Sequence, residues 1–248
     1  MPYYRELWSL TEQGRPSTVE DLTAREPDLV PLRAGGARTV PWRGLEASVR
    51  ITRGSRLPRA TRIVASGTRP ADPAPSGRGG HAAGWASRVA AVTEWVGRIG
   101  RGGNGNQEHP PRGVTVAPAE DLADVVGALV ASGSGVVAVG DHTELARVQA
   151  SGPRVSTLVR CDPRELPSAA PEGGAVLYLP LLGYLGGLAP CGRWHLAVHQ
   201  VYARPLSDSG GVAVTLLHQR SPRLVDVSLG DSVRLDRCPR HRTPVLTG

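Results

Sequence analysis

Five residues near the end of the 248-residue chain are of the types that hold zinc: Cys191-x3-His195-x3-His199, followed by Cys238-x2-His241. Thiolate and imidazole donors suit Zn2+, which gathers four of them in a tetrahedron. The second pair resembles half of a zinc knuckle. Backbone conformation decides what the first group can do. On a helix His195 and His199 sit one turn apart on one face, whereas on a strand they lie about 13 Å apart at ~3.3 Å per residue and cannot easily share an ion. The alternation of Trp194, Leu196 and Val198 predicts a strand over 194–203. Without zinc, the histidines are then partly buried strand residues and the cysteines small core fillers. Zinc is the one candidate cofactor, with Cys191, His195, His199, Cys238 and His241 as its candidate ligands.

Acid–base chemistry has a second candidate location. Ligands of α/β proteins sit beyond the carboxyl ends of the strands, which points to Ala117-Pro118, to Gly140-Asp141-His142 and to Cys161-Asp162. Asp141 and His142 would be the acid–base pair of an α/β enzyme, metal-assisted or hydrolytic, with His195 and His199 as further members. The same residues have a structural explanation, since Asp141 and Glu144 have the spacing of a capping box. Cys161, a single thiol after a buried strand, reads as a packed residue rather than a nucleophile. The glycines at 133 and 135 follow a helix, the wrong side for cradling phosphate at a helix N-terminus.

The largest exclusion comes from what the chain lacks. It has no lysine and no phenylalanine, and all 29 basic residues are arginine. A Walker phosphate loop, a Schiff-base enzyme and a protein kinase each require an ammonium at a defined point, so none of these is encoded here. The missing types are those with AT-rich codons, as in a high-GC genome, which also inflates arginine. The formal charge of +7 is carried by residues 1–113, with 17 Arg against 10 acidic residues, while 114–248 balance at 12 and 12. Arg50, Arg53, Arg56, Arg59 and Arg62 recur at a strict spacing of three around Pro58. An extended polyproline-type chain has three residues per turn and would set all five on one side. Such a ridge suits a phosphate backbone, because arginine forks bind phosphate bidentately. The leading functional expectation is a binding protein whose basic N-terminal half contacts nucleic acid or another polyanion. The third expectation, after the enzyme, is a structural component of a larger assembly, with protein partners ordering the Gly/Pro-rich segments.

The elements that must position these residues are legible in part. The fold class expected is α/β: a partly parallel βαβαβ sheet ending in antiparallel strands, preceded by a small, mainly helical basic region. Residues 1–66 form the basic region with the arginine-rich arm, 67–113 are Gly/Pro-rich linkers around one amphipathic helix (82–99), and 114–248 form the α/β domain. Helices are predicted over 3–11 and 18–25, with Ser17 or Thr18 capping the second. The pair forms a small helical hairpin. It also resembles the opening of a helix-turn-helix, although Pro27, Pro31 and Gly35-Gly36 interrupt what would follow. Leu122, Val125, Val126, Leu129 and Val130 fit the i, i+3, i+4, i+7, i+8 template of a helix over 119–132. Strands are predicted over 114–116, 136–139 and 155–160, and a hairpin over 212–218 and 224–229. The uncharged stretch 173–192 carries glycines and two prolines and reads as a buried strand and turn rather than a membrane span. Three cysteines and no signal-like start predict free thiols in a reducing cytoplasm.

Overall fold

A computed structural model describes residues 16–24, 44–54, 61–67, 113–180, 182–207, 209–217 and 224–248. The helices predicted over 3–11 and 82–99, together with Arg56 and Arg59, lie outside the described residues. The content is mixed α/β, and the chain divides into two compact units, Leu57–Val159 and Met1–Arg56 with Arg160–Gly248.

The Leu57–Val159 unit contains the predicted βαβαβ. Its elements are β2 (Thr61–Ser66), β3 (Val114–Ala117), α3 (Leu122–Ala131), β4 (Gly135–Gly140), α4 (His142–Val148) and most of β5 (Val155–Cys161). The strands are parallel in the order β3-β2-β4-β5. Parallel strands covered on both faces read as continuous apolar runs. Val136, Val137, Ala138 and Val139 are accordingly all buried. Helix α3 buries Leu122, Val125 and Val126. It ends where Gly133 takes a left-handed φ of 86°, with the Gly133 and Ser134 amides donating to Val130 and Leu129 carbonyls. Helix α4 begins with the predicted capping box: Asp141 accepts from the Glu144 amide at 2.8 Å, and Glu144 accepts from the Asp141 amide at 2.7 Å.

The arginine run does not form one extended ridge. Arg50 and Arg53 lie on helix α2 (Leu45–Arg53), and Arg62 lies on strand β2, between β3 and β4. The cause is a degeneracy of period. Residues three apart share a side of an α-helix as well as of a polyproline helix, and α2 buries Leu45, Ser48 and Val49. Gly54, left-handed at φ 68°, closes the helix. Ile63, Val64 and Ala65 then provide the buried run of a central strand.

The other unit is mainly antiparallel. Strands β6 (Ala175–Leu179), β7 (Gly183–Leu188), β8 (Trp194–Leu196), β13 (Pro244–Thr247) and β12 (Arg234–Arg237) lie side by side in the order β6-β7-β8-β13-β12, each antiparallel to the next. A four-stranded sheet runs β1 (Ser17–Thr18), β11 (Val227–Ser228), β10 (Val212–Leu216), β9 (Val201–Pro205). Strands β10 and β11 realise the predicted hairpin. Helix α1 (Val19–Ala24) starts at Thr18, whose hydroxyl accepts from the Asp21 amide at 3.0 Å. Strand β7 is buried along its whole length. Its Gly187 is what lets α2 approach: a Cβ there would run into Thr52 Oγ1, with the Ala175 carbonyl oxygen at 2.9 Å. Among the described residues no helix is long and apolar enough to cross a membrane.

Candidate metal centre

Two tight turns bring the zinc-type residues together. The first joins β7 to β8: the Ala189 amide donates to the Arg193 carbonyl and the Gly192 amide to Ala189, which places Cys191 at the tip. Gly192 supplies the left-handed residue, at φ 75°. The second joins β12 to β13. There the Cys238 amide donates to the Thr243 carbonyl and the Arg242 amide to Cys238, with Arg242 itself left-handed at φ 58°. Pairing of β8 with β13, His195 opposite Val245, sets the two turns against each other.

The donor atoms of Cys191, His195, Cys238 and His241 all lie within 4.8 Å of one another. The two sulfurs are 3.9 Å apart, Cys191 Sγ is 3.2 Å from His195 Nε2, and Cys238 Sγ is 3.4 Å from His241 Nδ1. A zinc tetrahedron with Zn–S about 2.3 Å and Zn–N about 2.0–2.1 Å separates its sulfurs by about 3.8 Å and sulfur from nitrogen by about 3.6 Å. These three separations lie within about 0.4 Å of those of a zinc tetrahedron, and the four donors are close enough for one ion to draw them together. No disulfide joins the two sulfurs, and the cysteines are free.

The surroundings suit the same chemistry. The far nitrogen of His195, Nδ1, lies 2.8 Å from Thr243 Oγ1, so the ring is held by the hydroxyl while Nε2 faces the sulfurs. Metal-binding imidazoles are oriented in this way. Burial above all, with His241 and the Arg193 charge nearby, pushes His195 below the ordinary imidazole range, toward the neutral form that a ligand must have. At Cys238 burial acts to raise the thiol and is outweighed. Backbone amides of His241 and Arg240, the Cys191 thiol and the Arg193 charge together leave it lowered, toward the thiolate. Cys238 and His195 are buried, Cys191 is half-buried and His241 is exposed, so the centre sits just under the surface.

The sequence-derived candidates thus separate. His195 is on a strand, as its neighbours imply, but that strand is only three residues long and His199 lies in the exposed turn beyond it, outside the cluster. The strand predicted over 194–203 is broken by a turn at 198–200, so His199 leaves the cluster by that turn and not by strand spacing. The partners of His195 come from the other hairpin instead. Thr243 is the member that sequence reasoning misses, since a hydroxyl two residues past a histidine carries no signal of its own. Asp141 and His142 belong to the Leu57–Val159 unit and His195 and His199 to the other. Asp141 is taken up as the helix cap, and Glu144, buried, also accepts a 2.6 Å hydrogen bond from Ser66. The Cys161 thiol is pushed up to about 11 by burial, away from the range of a nucleophile. Arg50 pairs with Glu46 at 2.6 Å. No family model and no curated protein matches the chain.

Proposed function

We propose that this chain is a binding protein in which Cys191, His195, Cys238 and His241 hold one structural Zn2+, and in which the metal fixes an arginine-rich hairpin as a contact surface for nucleic acid or another polyanion. The observation that carries it is the convergence of two thiols and two imidazoles within 4.8 Å, from two hairpins. Four protein ligands leave no open position, which is the mark of a structural rather than a catalytic zinc site.

The polyanion half of the proposal is supported by what surrounds the metal. Residues 234–242 read Arg-Leu-Asp-Arg-Cys-Pro-Arg-His-Arg, four arginines to one aspartate. Arg237, Arg240 and Arg242 are exposed, and none forms an ion pair with another described residue. Two thiolates neutralise Zn2+, so the loaded hairpin keeps the arginines' positive charge. Guanidinium groups held on a rigid turn recognise phosphate with less ordering cost than a free arm would.

Two measurements test this. Metal analysis of the purified protein should find one zinc per chain, and cobalt substitution should give the visible absorption of a tetrahedral thiolate–imidazole site. A chain that stays metal-free in zinc-supplemented medium would sink the metal half. Retention on a polyanion should weaken steeply with salt, and changing Arg237, Arg240 and Arg242 to Gln should lower the log–log salt slope by about 0.9 for each phosphate no longer neutralised. If the slope falls instead only when Arg50, Arg53 and Arg62 are changed, the polyanion binds at those arginines and not at the zinc hairpin.

A further inference from the structure

The β12–β13 hairpin forms one wall of a cleft of about 480 Å3, whose other walls are β9, the turn before it and the residue that follows β10. Its walls include Val198, Leu217, Leu235 and Pro244, with Tyr202 and Arg237 among the lining residues. Tyr202 is 55% exposed and Val198 37%, the two large hydrophobic side chains that the described residues leave open to solvent. Tyr202 and the aliphatic side chains of Val198, Leu217, Leu235 and Pro244 give the cleft an apolar face. Basic side chains border that face. Arg237 stands in the cleft, Arg240 and Arg242 are on the adjoining turn, and the one carboxylate in the lining, Asp236, faces Arg193 at 3.8 Å.

We propose that this cleft is a site for single-stranded nucleic acid, in which a base stacks on Tyr202 against the apolar wall while Arg237 and the arginines of the zinc turn hold the flanking phosphates. This rests on the polyanion contact proposed above and gives it an occupant. The pairing of features is specific to that ligand. Single strands expose the flat face of each base, and base–aromatic stacking beside a basic groove is the general means of holding them. A duplex hides those faces and has only its phosphates to offer. The cleft volume lies within the range of small-ligand sites, about 300–1,000 Å3, which is room for one or two bases and not for a helix. DNA and RNA share the recognised chemistry, and the 2′-hydroxyl separates them.

The test uses the full zinc-loaded chain and labelled mixed-sequence oligonucleotides of about 16 nucleotides, the upper site size of a single platform. Binding of single-stranded DNA, single-stranded RNA and the corresponding duplex is followed by fluorescence anisotropy between about 50 and 200 mM salt. Single strands should bind at least about tenfold more tightly than duplex. Tyr202→Ala should weaken them about 5- to 100-fold, Tyr202→Phe should bind like the parent, and Arg237→Gln should lower the salt slope by about one. Zinc content of each variant confirms that the hairpin is intact. If Tyr202→Ala binds like the parent, or duplex binds as well as single strand, the cleft proposal falls while the polyanion contact stands. If no nucleic acid binds the zinc-loaded chain, the nucleic-acid proposal falls with it, and retention of an acidic peptide in the same assay would reassign the cleft.

Discussion

The four candidate ligands differ in what their loss would do, because one of them is positioned by a neighbour that never touches the metal. Thr243 holds the His195 ring through Nδ1. Removing that hydroxyl frees the ring to rotate without emptying the donor set. Groups placed in this way typically contribute 10- to 100-fold in metal affinity. Thr243→Val should therefore lower zinc affinity by about that factor in competition with a chromophoric chelator, while Thr243→Ser restores it. A Thr243→Val variant that binds like the parent while Thr243→Ser is weakened would show that the methyl packing, not the hydroxyl, matters. A second prediction concerns the thiol outside the centre. Burial raises Cys161 to about 11, so at neutral to mildly alkaline pH it carries roughly a hundredfold less thiolate than a thiol two units lower. Alkylation of Cys161 in the folded chain should be slower than in denaturant by about that factor, and should keep accelerating up to about pH 11 instead of levelling off near the ordinary thiol range. A folded-state rate matching the denatured one would return Cys161 to the candidate nucleophiles.

At the level of elements, close backbone approach in one place and open space in another give opposite expectations for the same substitution. Gly187 lies in β7 where a Cβ would strike Thr52 Oγ1, with the Ala175 and Ser48 carbonyl oxygens at 2.9 and 3.1 Å. Gly187→Ala should cost about 1–3 kcal/mol, the usual range for overpacking a filled interior. Gly127 is in the middle of α3 with nothing within 4 Å of the Cβ position. Gly127→Ala should stabilise by about 0.5–1 kcal/mol through backbone entropy alone. Urea midpoints of the two variants on opposite sides of the parent would bear this out; a stabilising Gly187→Ala would mean that α2 does not rest on β7. The same elements differ in how far the sequence alone reveals them. The repeating unit over 114–161 is legible because apolar periodicity, capping residues and glycine stops all agree locally: Leu122, Val125 and Val126 mark one face, Asp141 and Glu144 a start, and Gly133 an end. Strand β2 is not, because the signal of Ile63-Val64-Ala65 is three residues long and sits beside a louder pattern of arginines. For the metal centre, residue types point to all four ligands plus His199. Their convergence depends on β8 pairing with β13 fifty residues later, and no spacing within either motif encodes that contact.

At the scale of the whole chain, the candidate metal ligands and the walls of the cleft all fall in one of the two units, Met1–Arg56 with Arg160–Gly248. The other has a core of its own, in which Val64, Val126, Ala138 and Val139 are fully buried. Nothing in that core includes a ligand. The β12–β13 hairpin has far less to hold it: β12 is exposed or half-buried throughout, and β13 contributes Val245 and Leu246 as its buried side chains. An element that buries so little is held mainly by its hydrogen bonds and by whatever ties its turn, and free energies of local opening follow from that. Zinc bound at a hundredfold excess over its dissociation constant stabilises the state that binds it by about 2.7 kcal/mol, or about a hundredfold in an opening equilibrium. Chelation should therefore accelerate amide hydrogen exchange by up to about that factor in 188–196 and 234–247, leave 114–159 unchanged, and be reversed by adding back one equivalent of zinc. Exchange that accelerates equally across 114–159 would mean that the metal governs the fold of the entire chain. Exchange that does not change at all in either hairpin would mean that β8, β12 and β13 hold without it, and the arginines beside the cleft would then owe their positions to the strands and not to the ion.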